Sequence, residues 1–142
     1  MNGAVLAFDF GEKRIGVAVG DLEIGIAHPL QTIAGEGNDL KFAAIAELIS
    51  EWKPARLVVG LPMHLDGTEH ELTRLSRKFA RRLEGRFSLP TAMIDERLSS
   101  AEASQTLNEL GIRGRNQKAM LDQVAAQRIL QSYFDMQPHE LA

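Results

Sequence analysis

The sequence predicts a mixed α/β fold, with a central mixed β-sheet and helices packed against its faces. Three apolar segments joined by short turns open the chain, and segments of helical and strand periodicity alternate after them. Strands joined by short turns pair antiparallel, whereas strands separated by a helix usually pair parallel. The 142 residues fit one domain. We therefore expect a single domain over residues 1–137 and a frayed tail over 138–142.

The first half of the chain is predicted to form three strands, a helix and a fourth strand. The first three strands are expected at 4–10, 14–19 and 24–33, as an antiparallel meander. A helix follows, with Asn38 or Asp39 placed to cap it and Pro54 ending it. Residues 56–61 are nearly all apolar, which is typical of a strand buried on both faces.

The second half is predicted to alternate helices with one further strand. Thr68 and Glu71 form a capping box for a helix, and a short strand is expected at 91–94. Ser99 and Glu102 form a second capping box, for a helix that stops near Gly111. Residues 112–118 are expected to be a flexible basic loop, and the final helix is expected over about 119–134.

Composition excludes several classes of protein. The chain has no cysteine, which excludes disulfides, zinc–thiolate sites and thiol nucleophiles, and leaves oxygen donors for any metal. No apolar run approaches the roughly 20 residues that cross a bilayer. The first residues lack the basic segment of a secretion signal. We expect a cytoplasmic protein without a membrane partner.

The net charge of −3 conceals a segregation along the chain. Residues 1–73 carry 5 Lys/Arg against 11 Asp/Glu, whereas residues 74–128 carry 11 against 6. Five of these cations fall on one side of the helix that begins near Glu71, namely Arg74, Arg77, Lys78, Arg81 and Arg82. This basic stripe is either a solvated helix face or a contact for a nucleic-acid backbone.

Three separated segments each present an acid where a metal site would need one. Asp9 interrupts an apolar strand, where an ionised carboxylate is costly without a positive partner. Asp122 shares a helix face with Ala125, Ala126, Ile129 and Tyr133, and two alanines would let that helix approach the sheet closely. Asp95 and Glu96 end the last strand, and alternation allows only one of them to point at a given centre.

Carboxylates that converge without cations repel each other, so a divalent metal is their sensible use. Mg²⁺ or Mn²⁺ suits a site made of oxygen ligands, and paired ions promote hydrolysis of phosphodiesters. Purely structural roles for these acids are alternatives at this point. Asp122 would be a first-turn acid favoured by the helix dipole, Glu96 would pair with Arg97, and Asp9 would bond to the turn at Gly11.

Four blocks of the sequence resemble the signature blocks of the YqgF family, also called RuvX. They are residues 9–18 (DFGEKRIGVA), Gly60-Leu61-Pro62 with Asp66-Gly67, residues 95–99 (DERLS), and Asp122 with Ala125, Ala126, Ile129 and Leu130. They occur in family order and cover nearly the whole chain. The resemblance implies an RNase H-like fold related to the Holliday junction resolvase RuvC, metal-dependent nuclease activity, and a role in maturing the 5′ end of pre-16S rRNA.

Carried over by position, the resemblance makes Asp9, Glu96 and Asp122 the metal-binding and catalytic acids, with Asp95 a less expected substitute for Glu96. Cations that flank these acids in sequence are candidates for binding the nucleic-acid phosphates: Lys13, Arg14, Arg97, Arg113, Arg115 and Lys118. The leading hypothesis is a nuclease of structured RNA. The alternatives are a resolvase of four-way DNA junctions that uses the same acids, and a non-catalytic RNA-binding factor of ribosome assembly.

Overall fold

The computed structural model describes residues 3–11, 13–34, 37–62, 71–95 and 114–136 of the chain. Within these ranges lie five strands and three helices. In chain order they are β1 (Ala4–Phe10), β2 (Arg14–Asp21), β3 (Ala27–Ala34), α1 (Asn38–Trp52), β4 (Arg56–Leu61), α2 (Glu71–Phe87), β5 (Thr91–Asp95) and α3 (Gly114–Met136). No helix in this part of the chain is both long enough and apolar enough to cross a membrane.

The five strands form one mixed sheet in the order β3-β2-β1-β4-β5. β2 pairs antiparallel with both β1 and β3. β4 pairs parallel with both β1 and β5. The predicted mixed five-stranded sheet is therefore confirmed, and the carboxyl ends of β1, β4 and β5 meet at one edge of it.

The two faces of the sheet pack against different helices, because alternate strand residues point to opposite sides. Leu6 and Phe8 of β1 pack in a core cluster with residues of α1 and α2. Val5 and Ala7 of the same strand pack in a second cluster with residues of α3, among them Ala126. Odd positions of β1 therefore face α3, and even positions face α1 and α2.

Two glycines of β2 allow α3 to lie unusually close to the sheet. A Cβ on Gly16 would overlap the backbone carbonyl of Asp122, and a Cβ on Gly20 would lie 2.6 Å from the ring of Phe134. Ala126, between these two contacts along the helix, is fully buried. The expected close approach of this helix to the sheet is thus present, with glycines on the strand as well as alanines on the helix.

Glutamines of α3 hydrogen-bond to the backbone of the edge strand β3 and of the turn before it. Gln131 accepts a bond from the Ala27 N–H at 3.0 Å and donates one to the Gly25 carbonyl at 2.9 Å. Gln127 donates to the Ala27 carbonyl at 3.0 Å. These bonds fix the axial position of α3 against the sheet, since one helix residue is tied to two points of the neighbouring chain.

β3 begins at Ala27, so the prediction that it starts at Ile24 is wrong. The carboxylate of Asp21 accepts a bond from the Glu23 N–H, and the Gly25 N–H donates to the Asp21 carbonyl. Gly25 has a φ of 73°, a left-handed conformation that glycine adopts without cost. A turn closed by these bonds occupies the positions that alternation alone assigned to the strand.

Two helix boundaries also differ from the prediction. α1 is preceded by Gly37 at the N-cap, with a φ of 94° and no capping side chain, so neither Asn38 nor Asp39 caps it. α3 begins at Gly114 rather than near residue 119. Residues 114–118 are therefore helical and not part of a flexible loop. The predicted helix after Ser99 and the capping residue Thr68 lie outside the described residues.

Candidate functional site

Asp9 lies at the carboxyl end of β1 and faces α3. It has the same parity as Val5 and Ala7, which pack against that helix. Its direct partner across the antiparallel pair with β2 is Gly16. Asp9 is half-buried. Because Gly16 has no side chain, the space beside the carboxylate is open toward α3.

Asp122 fills that space from the helix side. Its Cβ lies 3.0 Å from the position that a Cβ on Gly16 would take. Directly paired residues of neighbouring strands have Cβ positions about 4.5–5.5 Å apart. The Cβ atoms of Asp9 and Asp122 are therefore separated by at most about 8.5 Å. The fold brings these two acids together across Gly16, although they lie at opposite ends of the chain.

Arg14 is the cation at this place. Arg14 lies two residues before Gly16 on β2, so its side chain points to the same face of the sheet. Its Nε donates a hydrogen bond to Oδ2 of Asp122 at 2.6 Å. The Arg14 side chain is 41% exposed and that of Asp122 is 20% exposed. The premise that the acids meet without a cation is therefore wrong for Asp122. Because this pair is partly exposed, solvent and salt screen it, and its contribution to stability is modest.

Asp122 is not the first-turn acid that the alternative interpretation made it. α3 begins at Gly114, which places Asp122 in the third turn, beyond the reach of the helix dipole at the N-terminus. The residues that follow at helical spacing, Ala125, Ala126, Ile129 and Tyr133, are all buried. Asp122 thus lies at the edge of the buried face of α3, as the spacing predicted.

The end of β5 lies at the same sheet edge as Asp9. Ile94 pairs with Gly60 on β4, and it packs in the α3 cluster. Asp95, the next residue, therefore belongs to the opposite face by alternation. Glu96 lies outside the described residues. Within the described ranges, no group of three or more His, Cys, Asp or Glu residues is placed to hold a metal.

The predicted phosphate-binding cations are placed differently from one another. Lys13 is exposed in the turn between β1 and β2, and Arg14 is engaged by Asp122. Arg115 and Lys118 belong to the first turns of α3 and not to a loop. Arg97 and Arg113 lie outside the described residues. Of these cations, Arg14 is in contact with one of the predicted acids, Asp122.

The basic stripe of α2 lies on the outer side of the helix, which buries Ser76, Phe79 and Leu83 toward the sheet. At its first turn, Arg74 forms a bidentate ion pair with Glu71. Hydrogen bonds from Arg74 lower the pKa of the Glu71 carboxyl below its usual 4.5. Arg74 is thereby partly neutralised, whereas Lys78, Arg81 and Arg82 are exposed further along the stripe.

Sequence reasoning missed Gly16, the residue around which the site is built. A signal was present, because a glycine within a strand often marks a close approach of another backbone. It also missed that Arg14 and Asp122 pair, although Arg14 is two residues from Gly16 and must share its face. Finding the partner required the position of α3, which no local pattern contains.

The chain is similar to known proteins over nearly its whole length. A family model described as RuvX, Holliday junction resolvase, matches residues 3–136. A protein of Methylobacillus flagellatus, provisionally named pre-16S rRNA nuclease, is 71% identical over 134 residues, covering 94% of this chain and 92% of the relative. A protein of Neisseria meningitidis with the same provisional name is 59% identical over 139 residues, covering 98% and 92%.

Solved structures with the same fold are more distant in sequence. Thermus thermophilus RuvC in complex with a Holliday junction substrate aligns with a TM-score of 0.55 at 14% identity, over 92% of both chains. The Fowlpox virus resolvase with its Holliday junction DNA aligns with a TM-score of 0.57 at 10% identity, over 93% of this chain and 97% of the resolvase. These alignments confirm the expected RNase H-like fold. Since the family model spans nearly the whole chain and relatives match it at 59–71% identity, the chain belongs to the RuvX (YqgF) family.

Proposed function

We propose that this chain is a nuclease that hydrolyses phosphodiester bonds of precursor 16S rRNA with the help of Mg²⁺ or Mn²⁺. Asp9, Glu96 and Asp122 are its metal-binding acids. The observation that carries the proposal is that Asp9 and Asp122 both lie beside Gly16, Asp9 as its partner on β1 and Asp122 on α3. The provisional names of relatives at 59–71% identity support the RNA substrate.

The residues present fit a divalent cation by their chemistry. Carboxylate oxygens are the donors that Mg²⁺ prefers, and it is held by one or two carboxylates together with water and phosphate oxygens. Two aspartates with Cβ atoms no more than about 8.5 Å apart are within reach of one shared ion. When bound, such an ion activates water and stabilises the leaving oxygen of the phosphodiester.

Alternation along β5 supports Glu96 rather than Asp95 as the third acid. Ala92 and Ile94 pack on the α3 side of the sheet, which is the side that Asp9 faces. Asp95 belongs to the other side. The described part of β5 therefore disfavours Asp95 for the α3 side, and Glu96 is the acid that the proposal uses.

Arg14 has two parts in the proposed site. Its Nε donates to Oδ2 of Asp122 and balances part of the charge of that carboxylate. The Arg14 side chain is 41% exposed, so its other N–H groups face solvent close to the acids. Guanidinium groups bind phosphate through two parallel hydrogen bonds. Arg14 would then hold a phosphate of the substrate next to the bond that is hydrolysed.

The test is cleavage of precursor 16S rRNA by purified protein in the presence of Mg²⁺ or Mn²⁺. Asp9→Asn removes one charge at nearly constant volume, and we expect it to abolish cleavage while the melting temperature stays near that of the wild type. Asp39→Asn, at the exposed first turn of α1, is the matched control and should retain cleavage. An Asp9→Asn variant that cleaves normally would end the proposal.

A second candidate is resolution of four-way DNA junctions, which is supported by the description of the RuvX family as Holliday junction resolvases. The same protein preparation, offered junction DNA and precursor RNA at equal concentrations, separates the two activities. Cleavage of the junction alone would replace the RNA substrate in the proposal.

A third candidate is a non-catalytic factor that binds RNA during ribosome assembly. Calorimetric titration with Mn²⁺ distinguishes it, because a nuclease of the proposed kind loses Mn²⁺ binding in Asp9→Asn. Absence of a carboxylate-dependent site in the wild type would favour the binding factor. For any of the RNA roles, the bacterial cytoplasm is the place of action that we propose.

A further inference from the structure

A pocket lies at the same end of β1 as Asp9 but on the other face of the sheet. Its volume is about 130 Å³, and its lining residues are Phe10, Phe42, Leu75, Lys78, Phe79 and Arg82. Phe10 is the last residue of β1 and follows Asp9 directly, so the two side chains point to opposite faces. The pocket and the candidate metal site are thus back to back at one sheet edge.

The floor of the pocket is aromatic. The Phe10 and Phe79 rings lie 4.8 Å apart between centroids, and the Phe42 and Phe79 rings 5.9 Å apart. Phe42 and Phe79 are each 4% exposed, whereas Phe10 is half-buried. Phe10 therefore presents the accessible part of this cluster, and the other two rings hold it in position.

The rim of the pocket is cationic. Lys78 and Arg82 are exposed, and they lie four residues apart on α2, so they share one side of the helix. Two further cations lie against the rings but are not among the lining residues: the buried Lys41 ammonium, 5.9 Å from the Phe10 ring, and the Arg86 guanidinium, 4.3 Å from the Phe42 ring. No acidic residue is among the described residues that line the pocket. An aromatic floor with a cationic rim has the chemistry of a site for a planar ring that is joined to an anionic group.

We propose that this pocket binds a nucleotide whose base is unpaired, with the base against Phe10 and its phosphate on Lys78 and Arg82. Bases stack on aromatic side chains whatever their sequence, and cationic grooves follow the phosphates. A cavity of about 150 Å³ is large enough to bind benzene, so about 130 Å³ accommodates part of one base ring.

The proposal rests on the proposed function, since it assumes that nucleic acid is bound at the sheet edge. A strand that crosses this edge would have its scissile phosphate on the α3 face and a neighbouring base on the α2 face. It also implies recognition by stacking on a base. Only 6% of the residues are aromatic, but three of the six phenylalanines line this one pocket.

The test is binding of a short fluorescein-labelled oligoadenylate to the full chain, measured by anisotropy in EDTA so that cleavage plays no part. A second probe of equal length has abasic sites throughout. Arg82→Gln is compared with Arg81→Gln, which makes the same charge change on the next residue, outside the pocket lining. Phe10→Leu removes the ring and keeps an apolar side chain.

We expect Phe10→Leu to weaken binding of the oligoadenylate at least about fivefold and to leave binding of the abasic probe unchanged. Arg82→Gln should weaken binding of both probes. It should also reduce the slope of the logarithm of the association constant against the logarithm of the salt concentration by about 0.7, and Arg81→Gln should change this slope less. Equal effects of the two arginine variants, or equal losses of both probes in Phe10→Leu, would overturn the proposal. If Phe10→Leu fails to fold, the arginine pair decides.

The outcome is independent of catalysis. A wild-type chain that binds the oligoadenylate in this way but does not cleave RNA with Mn²⁺ would refute the proposed function and leave the pocket assigned. A chain that cleaves RNA and shows no difference between the probes would refute the pocket alone. In that case Lys78 and Arg82 only cover the apolar cluster with their aliphatic stems.

Discussion

Gly16→Ala is the substitution for which the structure predicts the largest effect from the smallest change. The added methyl group would overlap the backbone carbonyl of Asp122 and lie 3.0 Å from its Cβ. Neither neighbour is a flexible side-chain end, so α3 itself must move. Inserting a methyl group into a packed contact costs about 1–3 kcal/mol. For a chain of this length, that corresponds to a fall in melting temperature of roughly 4–12 °C.

Thermal unfolding followed by circular dichroism measures this effect, and Mn²⁺ titration of the same variant measures its consequence for the site. We expect weaker Mn²⁺ binding, because a shifted α3 moves Asp122 away from Asp9. Gly85→Ala is the control, since nothing lies within 4 Å of a Cβ there and alanine favours the helix by up to about 1 kcal/mol. A Gly16→Ala variant as stable as the wild type would refute the close packing of α3 on β2.

Three further predictions concern single side chains. Arg14→Gln removes the cation on Asp122, and we expect it to raise Mn²⁺ affinity about two- to fivefold in calorimetry; an unchanged affinity would show that the guanidinium does not compete for that carboxylate. Ser76 is fully buried in α2 and its hydroxyl finds no partner among the described residues, so Ser76→Ala should leave the free energy of unfolding unchanged or raise it by up to about 1 kcal/mol in urea denaturation. A loss of stability in that variant would reveal a missing partner. The pKa of Glu71, followed by carboxyl NMR, should lie below 4.5 and rise in Arg74→Gln. The ion pair stabilises the fold at pH values above the pKa of Glu71 in the unfolded chain, and this stabilisation is lost as the pH falls through the lower pKa of the folded chain. A Glu71 pKa that is the same in Arg74→Gln would contradict the ion pair.

The sheet was predictable because its strands are encoded locally. Ala4–Phe10 and Arg56–Leu61 are strands with the predicted bounds, since a short apolar run flanked by turn residues has few other solutions. The antiparallel start and the parallel pairs followed from short turns and helical connections. Asp9 stood out for the same reason, as a charge inside an apolar run.

The errors arose where glycine was taken to end an element. Gly114 and the basic residues after it suggested a loop, but α3 starts at Gly114, and arginine, glutamine and lysine are good helix formers. At the β2–β3 connection, residues of a turn were predicted to be strand, because their apolar residues alternate. The carboxylate of Asp21 accepts a hydrogen bond within this turn. The partnership of Arg14 with Asp122 depends on the docking of α3, which is a property of the folded chain and not of either segment.

The glutamines of α3 also decide how β3 meets other molecules. β3 is the outermost strand on its side of the sheet, and an open strand edge invites pairing with the edge of another chain. At Ala27 both backbone groups are already bonded to Gln127 and Gln131. Pro29, further along the strand, has no N–H to offer. The first residues of β3 are therefore less able to pair with the edge strand of a second copy.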